Sequence, residues 1–424
     1  MAEKAIYFEG SRLRISKRQL KIRLIAILLV LIAAYSVGEI AVRIFDPQQI
    51  YNRHDPSHPD YPKEVEYDRD LGWSTVKNYK AEPYTKQGRH QIITITHNSK
   101  GYRLDHEVDE NKPAIVMTGD SLVYGFWVDD KKVASAKLNA MLGDKYEVIN
   151  LGVGGYGTDQ GFLRFMRDGI SHKPKFIFHG FFANDFSNIV SNYQYNVYKP
   201  VFKALDNGSL ILTNVPVPIS PDIEKSYPKK KEHSIAGFQR IMYSWSHLYI
   251  LYDNKISILK EKVRNFFWPK KIEKKDYYTD YKDGEMWAVE KDYTDIMKYS
   301  FYLNGLILKE YNRIAKMNNS TFVLVLIADR ISVDRQMQKA TVEKYNNVDD
   351  KFFDYGKPYT LLENFAKSEG IRVINLYPLF KKEYQENHHD MYLDGDHHLN
   401  DYGHELMARE IYKYLSENGL IEKT

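Results

Sequence analysis

No cysteine occurs in the 424 residues, which excludes disulfides, thiolate metal ligation and a thiol nucleophile together. The redox compartment stays open, because an exported protein can do without bridges. Tryptophan is scarce, at 5 residues, while tyrosine reaches 34; tyrosine suits partly wet grooves, where the ring packs and the hydroxyl stays hydrated, and it equally suits an ordinary surface. Charge of either sign is barely in excess: 60 basic against 56 acidic residues leave +4, so no basic footprint points to nucleic acid. No internal repeat is visible, and the chain is long enough for a core of a few hundred residues.

Long hydrophobic runs are also rare, with one exception. Arg12, Arg14, Lys17, Arg18, Lys21 and Arg23 precede an apolar stretch from Leu24 to Gly38, which resumes after Glu39 as Ile40-Ala41-Val42. As a helix, Ile22 to Ile44 covers the ~30 Å of a bilayer's hydrocarbon. This predicts a basic cytoplasmic segment at 1–23, a single-pass anchor at 24–44 and an extracytoplasmic remainder, by the excess of Lys and Arg on the inner side. A cleaved signal peptide ending near Ser36-Val37-Gly38 is the competing reading, and a buried core helix the plain one.

Residues 45–110 read as a stalk and a small β-containing cap, with a strand at Gln91–Thr96. From 111 to 424 short apolar strands alternate with helical patterns. Ala114–Thr118, Tyr146–Ile149, Lys175–His179, Thr321–Ile327 and Ile371–Asn375 are the strands; helices are predicted over 133–142 and about 158–169. That alternation predicts a parallel sheet covered on both faces. A large insertion, about 186–318, follows the third strand. Within it Trp245, Tyr249, Tyr252, Ile256, Leu259 and Val263 draw one apolar helix face. Packing against the main domain is its plain reading, and a lid or membrane-resting surface the sharper one. Lysine clusters at 229–231 and 270–275 read as solvated loops.

Four polar segments fall at successive strand ends, where open α/β sheets bind ligands. Thr118-Gly119-Asp120-Ser121 offers a serine at a strand-to-helix turn, although Asp-Ser is also an ordinary helix N-cap. Asn150-Leu-Gly-Val-Gly-Gly155-Tyr-Gly157 is a glycine-rich turn. Gly152, Gly154 and Gly157 have dinucleotide spacing, but they follow the second strand and lack an acidic ribose partner, so an amide donor turn fits better. Asn184-Asp185 supplies an amide for an oxyanion, or a plain turn. Asp394-Gly-Asp396-His397-His398-Leu-Asn400 holds imidazoles beside carboxylates, with Asn400 as N-cap of the last helix. Such a pair can take a serine proton. The same residues, with His388-His389-Asp390, keep a metal site as the weaker alternative.

These motifs resemble the GDSL, or SGNH, hydrolase superfamily over about 112–420, outside the insertion, in the form of a bacterial-type membrane-anchored member. Gly119-Asp120-Ser121 resembles its first block, Gly155 its second, Asn184-Asp185 its third and the Asp/His cluster its last. The resemblance implies a three-layer α/β/α flavodoxin-like parallel sheet and a Ser-His-Asp triad without cofactor or metal. It also implies an oxyanion hole from the Ser121 and Gly155 amides and the Asn184 side chain. Two departures stand out. Phe182 replaces the usual glycine of the third block, and the last block offers two pairings. Asp394 with His397 has the usual spacing; His398 with Asp396 matches the following Leu-Asn and Gly403-His404, and is the pairing expected here. Asp70-Leu-Gly-Trp73 and Asn98–Arg103 resemble the preface of membrane-anchored members and read as a cap on the sheet. The expected activity is hydrolysis of carboxylic esters, O-acyl groups on an exported glycan or lipid among them. Polysaccharide O-acyl transfer with the same triad and non-catalytic glycan binding are the alternatives.

Overall fold

The computed structural model describes residues 16–46, 64–81, 84–85, 92–143, 145–195, 197–219, 242, 245–249, 251–252, 255–256, 275–276, 284–346 and 348–421. Arg12, Arg14, Leu259, Val263, the lysines at 229–231 and those at 270–274 lie outside these residues. Two compact units follow the divisions Met1–Pro59, Tyr84–Ile92 and Lys230–Lys270 for the first and the remaining segments for the second.

The first unit contains helix α1, Lys17–Phe45, and helical residues between 242 and 256. Ser16 caps α1 by accepting from the Gln19 amide at 3.2 Å, and the Gln19 side chain returns the bond at 3.1 Å. The 29 residues of α1 are long and apolar enough to cross a membrane, and its leucines and isoleucines face outward all round.

The second unit is built on five parallel strands: β1 (Ala114–Thr118), β2 (Glu147–Asn150), β3 (Phe176–Phe181), β4 (Thr321–Leu326) and β5 (Arg372–Asn375). Their spatial order is β5-β4-β3-β1-β2, the flavodoxin-like arrangement whose ligand crevice lies where the order reverses, between β1 and β3. Both faces of the sheet are covered, so β1, β2 and β3 are buried at every position; this is why β1 reads as a nearly continuous apolar run rather than an alternating one.

The helices make the outer layers. Following β1 come α2 (Ser121–Tyr124) and α3 (Ala134–Met141); following β2 comes α4 (Thr158–Arg164), which continues in a π-helical turn to Gly169. Short α5 (Asp185–Asn188) follows β3, and α6 (Asp295–Met317) completes the crossover to β4. After β4 come α7 (Arg330–Val333), α8 (Lys357–Ser368) and, past β5, α9 (Asp401–Glu417). Helices α3 and α9 pack on one face, and α4, α6 and α8 on the other. The end of the 186–318 stretch is therefore a covering helix of the sheet, burying Leu303, Ile307, Leu308, Tyr311 and Ala315.

Gln91 lies outside the described residues; over the rest of the strand predicted at 91–96, strand structure is confined to Ile92–Ile93 and a bridge between Thr96 and Lys80. The reason is local. The Asp129 and Asp130 carboxylates accept from the Thr94 and Thr96 amides at 3.1 and 3.0 Å, so side chains rather than a neighbouring strand satisfy those donors. The preceding Val65–Asp68 and Gly72–Thr75 form an antiparallel hairpin. Leu71 and Trp73 of this hairpin pack with Val153 and Tyr156.

Candidate active site

Gly119 ends β1 at φ 150, and a Cβ there would meet Gly180 O at 2.8 Å and Val123 Cγ2 at 2.6 Å; only glycine lets β1 and β3 approach at this turn. Asp120 is the N-cap of α2, its Oδ1 accepting from the Leu122 amide at 2.8 Å. Ser121 thus occupies the first helical position, where backbone N–H groups have no intrahelical partner. The aspartate caps the helix, and the serine stands at its head.

His398 is 277 positions away in the chain, yet its Nε2 lies 2.9 Å from Ser121 Oγ. Its Nδ1 lies 2.7 Å from Asp396 Oδ1, which also accepts from the His398 amide at 3.1 Å. Burial works against the charge of Asp396, but the hydrogen bonds and charge of His398 outweigh it and hold the carboxyl well below the usual range. An ionised Asp396 only accepts, so the His398 proton sits on Nδ1 and Nε2 is left to accept from the Ser121 hydroxyl.

The other members of the cluster lie differently. Asp394 is exposed. The His397 ring lies 4.6 Å from that of His398 and 5.7 Å from Phe182. Nδ1 of His389 pairs with Glu383 at 2.9 Å, and Asp390 pairs with Arg330 at 3.0 Å. Asp396, His397 and His398 present donor atoms within 4.8 Å of one another, the one such group among the described residues. Both nitrogens of His398 are already engaged, so a cation there would compete with Ser121 or Asp396. His404 is buried and structural: its Nδ1 accepts from the Ala134 amide at 3.2 Å, joining α9 to α3.

The glycine-rich turn after β2 is held from two sides. Trp73 Nε1 donates to Gly154 O at 2.9 Å, and Tyr156 Oη donates to Trp73 O at 2.5 Å. Gly155 has φ 78, and a Cβ on it would stand 2.4 Å from the ring of Tyr195, itself 63% exposed. Asn184 Nδ2 donates to Asp120 Oδ2 at 3.2 Å, which links the first and third motifs directly. Phe182, in place of a glycine, is fully buried, and its amide donates to Asp185 Oδ2 at 2.8 Å. Asp185 is pushed up by burial and by the neighbouring Asp120 charge.

Three contacts at the site were not anticipated from the sequence. Gly125, left-handed at φ 81, ends α2 and brings Phe126 against His398, ring centroids 4.8 Å apart. Arg330 at the head of α7 donates to Leu393 O at 3.1 Å and Asp396 O at 3.4 Å, clamping the loop that carries the acid and the imidazole. Tyr195, from the insertion, lies against Gly155. An Asp-Arg pair after a buried strand is the only hint of Arg330.

No protein-family model matches the chain, and no curated protein matches its sequence. Solved structures similar to it include the acetyl xylan esterase AlAXEase, at 13% identity and TM-score 0.36, covering 72% of this chain and 100% of that one. Another is a putative lipolytic protein of the G-D-S-L family from Desulfitobacterium hafniense DCB-2, at 11% and 0.33, covering 71% and 99%. A third is TesA, at 10% and 0.34, covering 72% and 98%.

Proposed function

We propose that this protein is a serine esterase held at a membrane by α1, with Ser121 as nucleophile, His398 as general base and Asp396 as the group that orients it. The observation that carries this reading is the continuous line of hydrogen bonds from Ser121 Oγ through His398 to Asp396, at 2.9 and 2.7 Å. Nucleophile, base and orienting acid within such reach are what acyl transfer through serine requires.

Ser121 Oγ attacks an ester carbonyl as its proton passes to His398 Nε2. The oxyanion is held by the Ser121 and Gly155 N–H groups and by Asn184 Nδ2. Asp396 stabilises the imidazolium through Nδ1. Collapse breaks the carbonyl–oxygen bond, the Nε2 proton goes to the departing alcohol, and an acyl-serine remains. Water then attacks with His398 again as base, releasing the acid and restoring Ser121. No step calls for a metal or cofactor. The substrate class is an acyl ester, O-acyl glycans and lipids included. The basic residues ahead of the apolar run that starts at Leu24 favour a cytoplasmic N-terminus and an extracytoplasmic catalytic unit.

The test is turnover of short acyl esters by the full chain and by its Ser121→Ala variant, with fluorophosphonate labelling as a second readout. Loss of both in the variant is the expected result; equal activity removes Ser121 from the mechanism. A folded wild type that takes no label favours a non-catalytic glycan-binding role. Acylated sugar appearing when an acceptor glycan is added assigns transfer in place of hydrolysis.

A further inference from the structure

Glu39 is the one buried residue on α1, at 6% exposure, while its neighbours Val37 and Ile40 are 68% and 58% exposed. A carboxylate within the apolar length of a membrane helix is costly in lipid and is retained for a partner. Its partners here belong to the insertion segment of the same unit. Glu39 accepts from Ser246 Oγ at 2.8 Å and from the His247 and Leu248 amides, each at 2.9 Å. Arg43 Nε adds a fourth donor at 2.7 Å. Ser246 Oγ in turn accepts from the Tyr249 amide at 3.0 Å. Serine and glutamate together therefore satisfy the free amides at the head of a helical turn, one cap from its own chain and one from α1.

Other contacts extend the clasp. Tyr35 Oη bonds to Ser246 Oγ, and Arg43 donates to Trp245 O. The Tyr35 and Trp245 rings meet edge-on at 6.4 Å. A Cβ on Gly38 would lie 2.9 Å from Leu248 Cδ2, so the leucine rests on bare backbone. Tyr35 to Arg43 spans roughly the last 12 Å of the helix's apolar length, the depth at which tryptophan and tyrosine collect in membranes. Trp245 and Tyr252 of this segment are 44% and 61% exposed, and Trp245 adjoins the apolar length of α1 through Tyr35.

We propose that the segment around 242–256 is a second membrane-contacting element, docked on α1 by Glu39, with the Trp245 and Tyr252 side chains seated in the bilayer interface. The inference rests on the reading of α1 as a membrane anchor. The occupant of the aromatic face is lipid, because Trp245 packs edge-on against Tyr35 of a helix whose exposed surface from Leu24 to Ile32 is aliphatic.

The absence of native cysteine makes the test direct. In vesicles carrying the full chain, single variants Trp245→Cys and Tyr252→Cys take a bimane label, read against lipids bearing a nitroxide near the headgroup end of the acyl chain. The pair Gly38→Cys and Leu248→Cys is oxidised in the same membranes, and the linked peptide is read by mass spectrometry. Quenched labels and an intramolecular link are expected. Glu39→Ala should lower both about tenfold, the shift for losing a charge-assisted hydrogen bond, and Glu39→Gln, which keeps an acceptor oxygen, should retain most of both. Labels that stay in water, or links indifferent to Glu39→Ala, overturn the inference alone. A link between two copies replaces lipid with a second chain as the occupant and overturns it too. Release of the unmodified chain by alkaline carbonate overturns the anchor reading, and this inference with it.

Discussion

Asp120 serves two partners with one carboxylate. Oδ1 caps α2, and Oδ2 accepts from Asn184. Burial pushes its pKa up from 3.8 to about 6, against the pull of the Leu122 and Asn184 hydrogen bonds. An ionised carboxylate accepts only, so it selects the nitrogen end of the Asn184 amide. Asp120→Asn removes that selection and lets the amide turn over. If Asn184 Nδ2 holds the oxyanion, Asn184→Ala lowers kcat on the order of 10²–10³ with little change in KM. Asp120→Asn lowers kcat in the same direction, and the double variant is no worse than Asn184→Ala; additive losses would separate the two residues. The stability sign follows from the raised pKa. Between pH 3.8 and about 6 folded Asp120 holds a proton that the unfolded chain has released, so its contribution is lost as pH rises through that window. Thermal melts should show the wild type losing Tm relative to Asp120→Asn over that range, and a constant gap would reject the assignment.

At the scale of elements, what was legible in the sequence was whatever is encoded locally. β1, β3 and β4 are buried apolar runs, and buried strands read that way whatever they pair with. Asn400 caps α9 as its position before an apolar helix suggests, accepting from the Tyr402 and Gly403 amides at 2.9 and 3.0 Å. The motifs lie at the strand ends because α/β topology collects loops there. The illegible part is long-range. Gln91–Thr96 has strand composition, yet two aspartates more than thirty positions on take its amides. Asp120 meeting Asn184, Phe126 meeting His398 and Arg330 meeting the 393–396 loop each join separate strand ends, and no spacing rule links them. Arg330 gives the element-scale prediction. Its guanidinium also reaches Asp390 at 3.0 Å, and this forked reach is beyond a lysine ammonium. Arg330→Lys should lower kcat and the fluorophosphonate labelling rate together, on the order of ten- to a hundredfold, the effect of misplacing a base by about 1 Å. Unchanged labelling with reduced turnover would place Arg330 on the substrate instead.

Over the whole second unit, three buried imidazoles act as struts between distant segments. His97 Nε2 meets Tyr124 Oη of α2 at 2.9 Å and Nδ1 meets Val76 O at 2.9 Å; His179 Nδ1 meets Thr118 Oγ1 at 3.0 Å, joining β3 to β1; His404 joins α9 to α3. Burial lowers each of them from 6.5 to about 3. The unfolded chain takes up these protons as pH falls below 6.5, while the folded one refuses them until about 3. Their stabilising share is therefore complete above that window and lost on acidification within it, the opposite sense to Asp120. Each pH unit inside the window is worth up to ~1.4 kcal/mol per imidazole. His404→Gln keeps an acceptor for the Ala134 amide but cannot be protonated. Chemical denaturation at a series of pH values should show this variant losing less stability than the wild type between pH 6.5 and about 4, with the two curves parallel above 6.5. Curves that stay parallel throughout would mean that His404 accepts its proton without unfolding the α3–α9 layer, and that the strut is not what acid breaks.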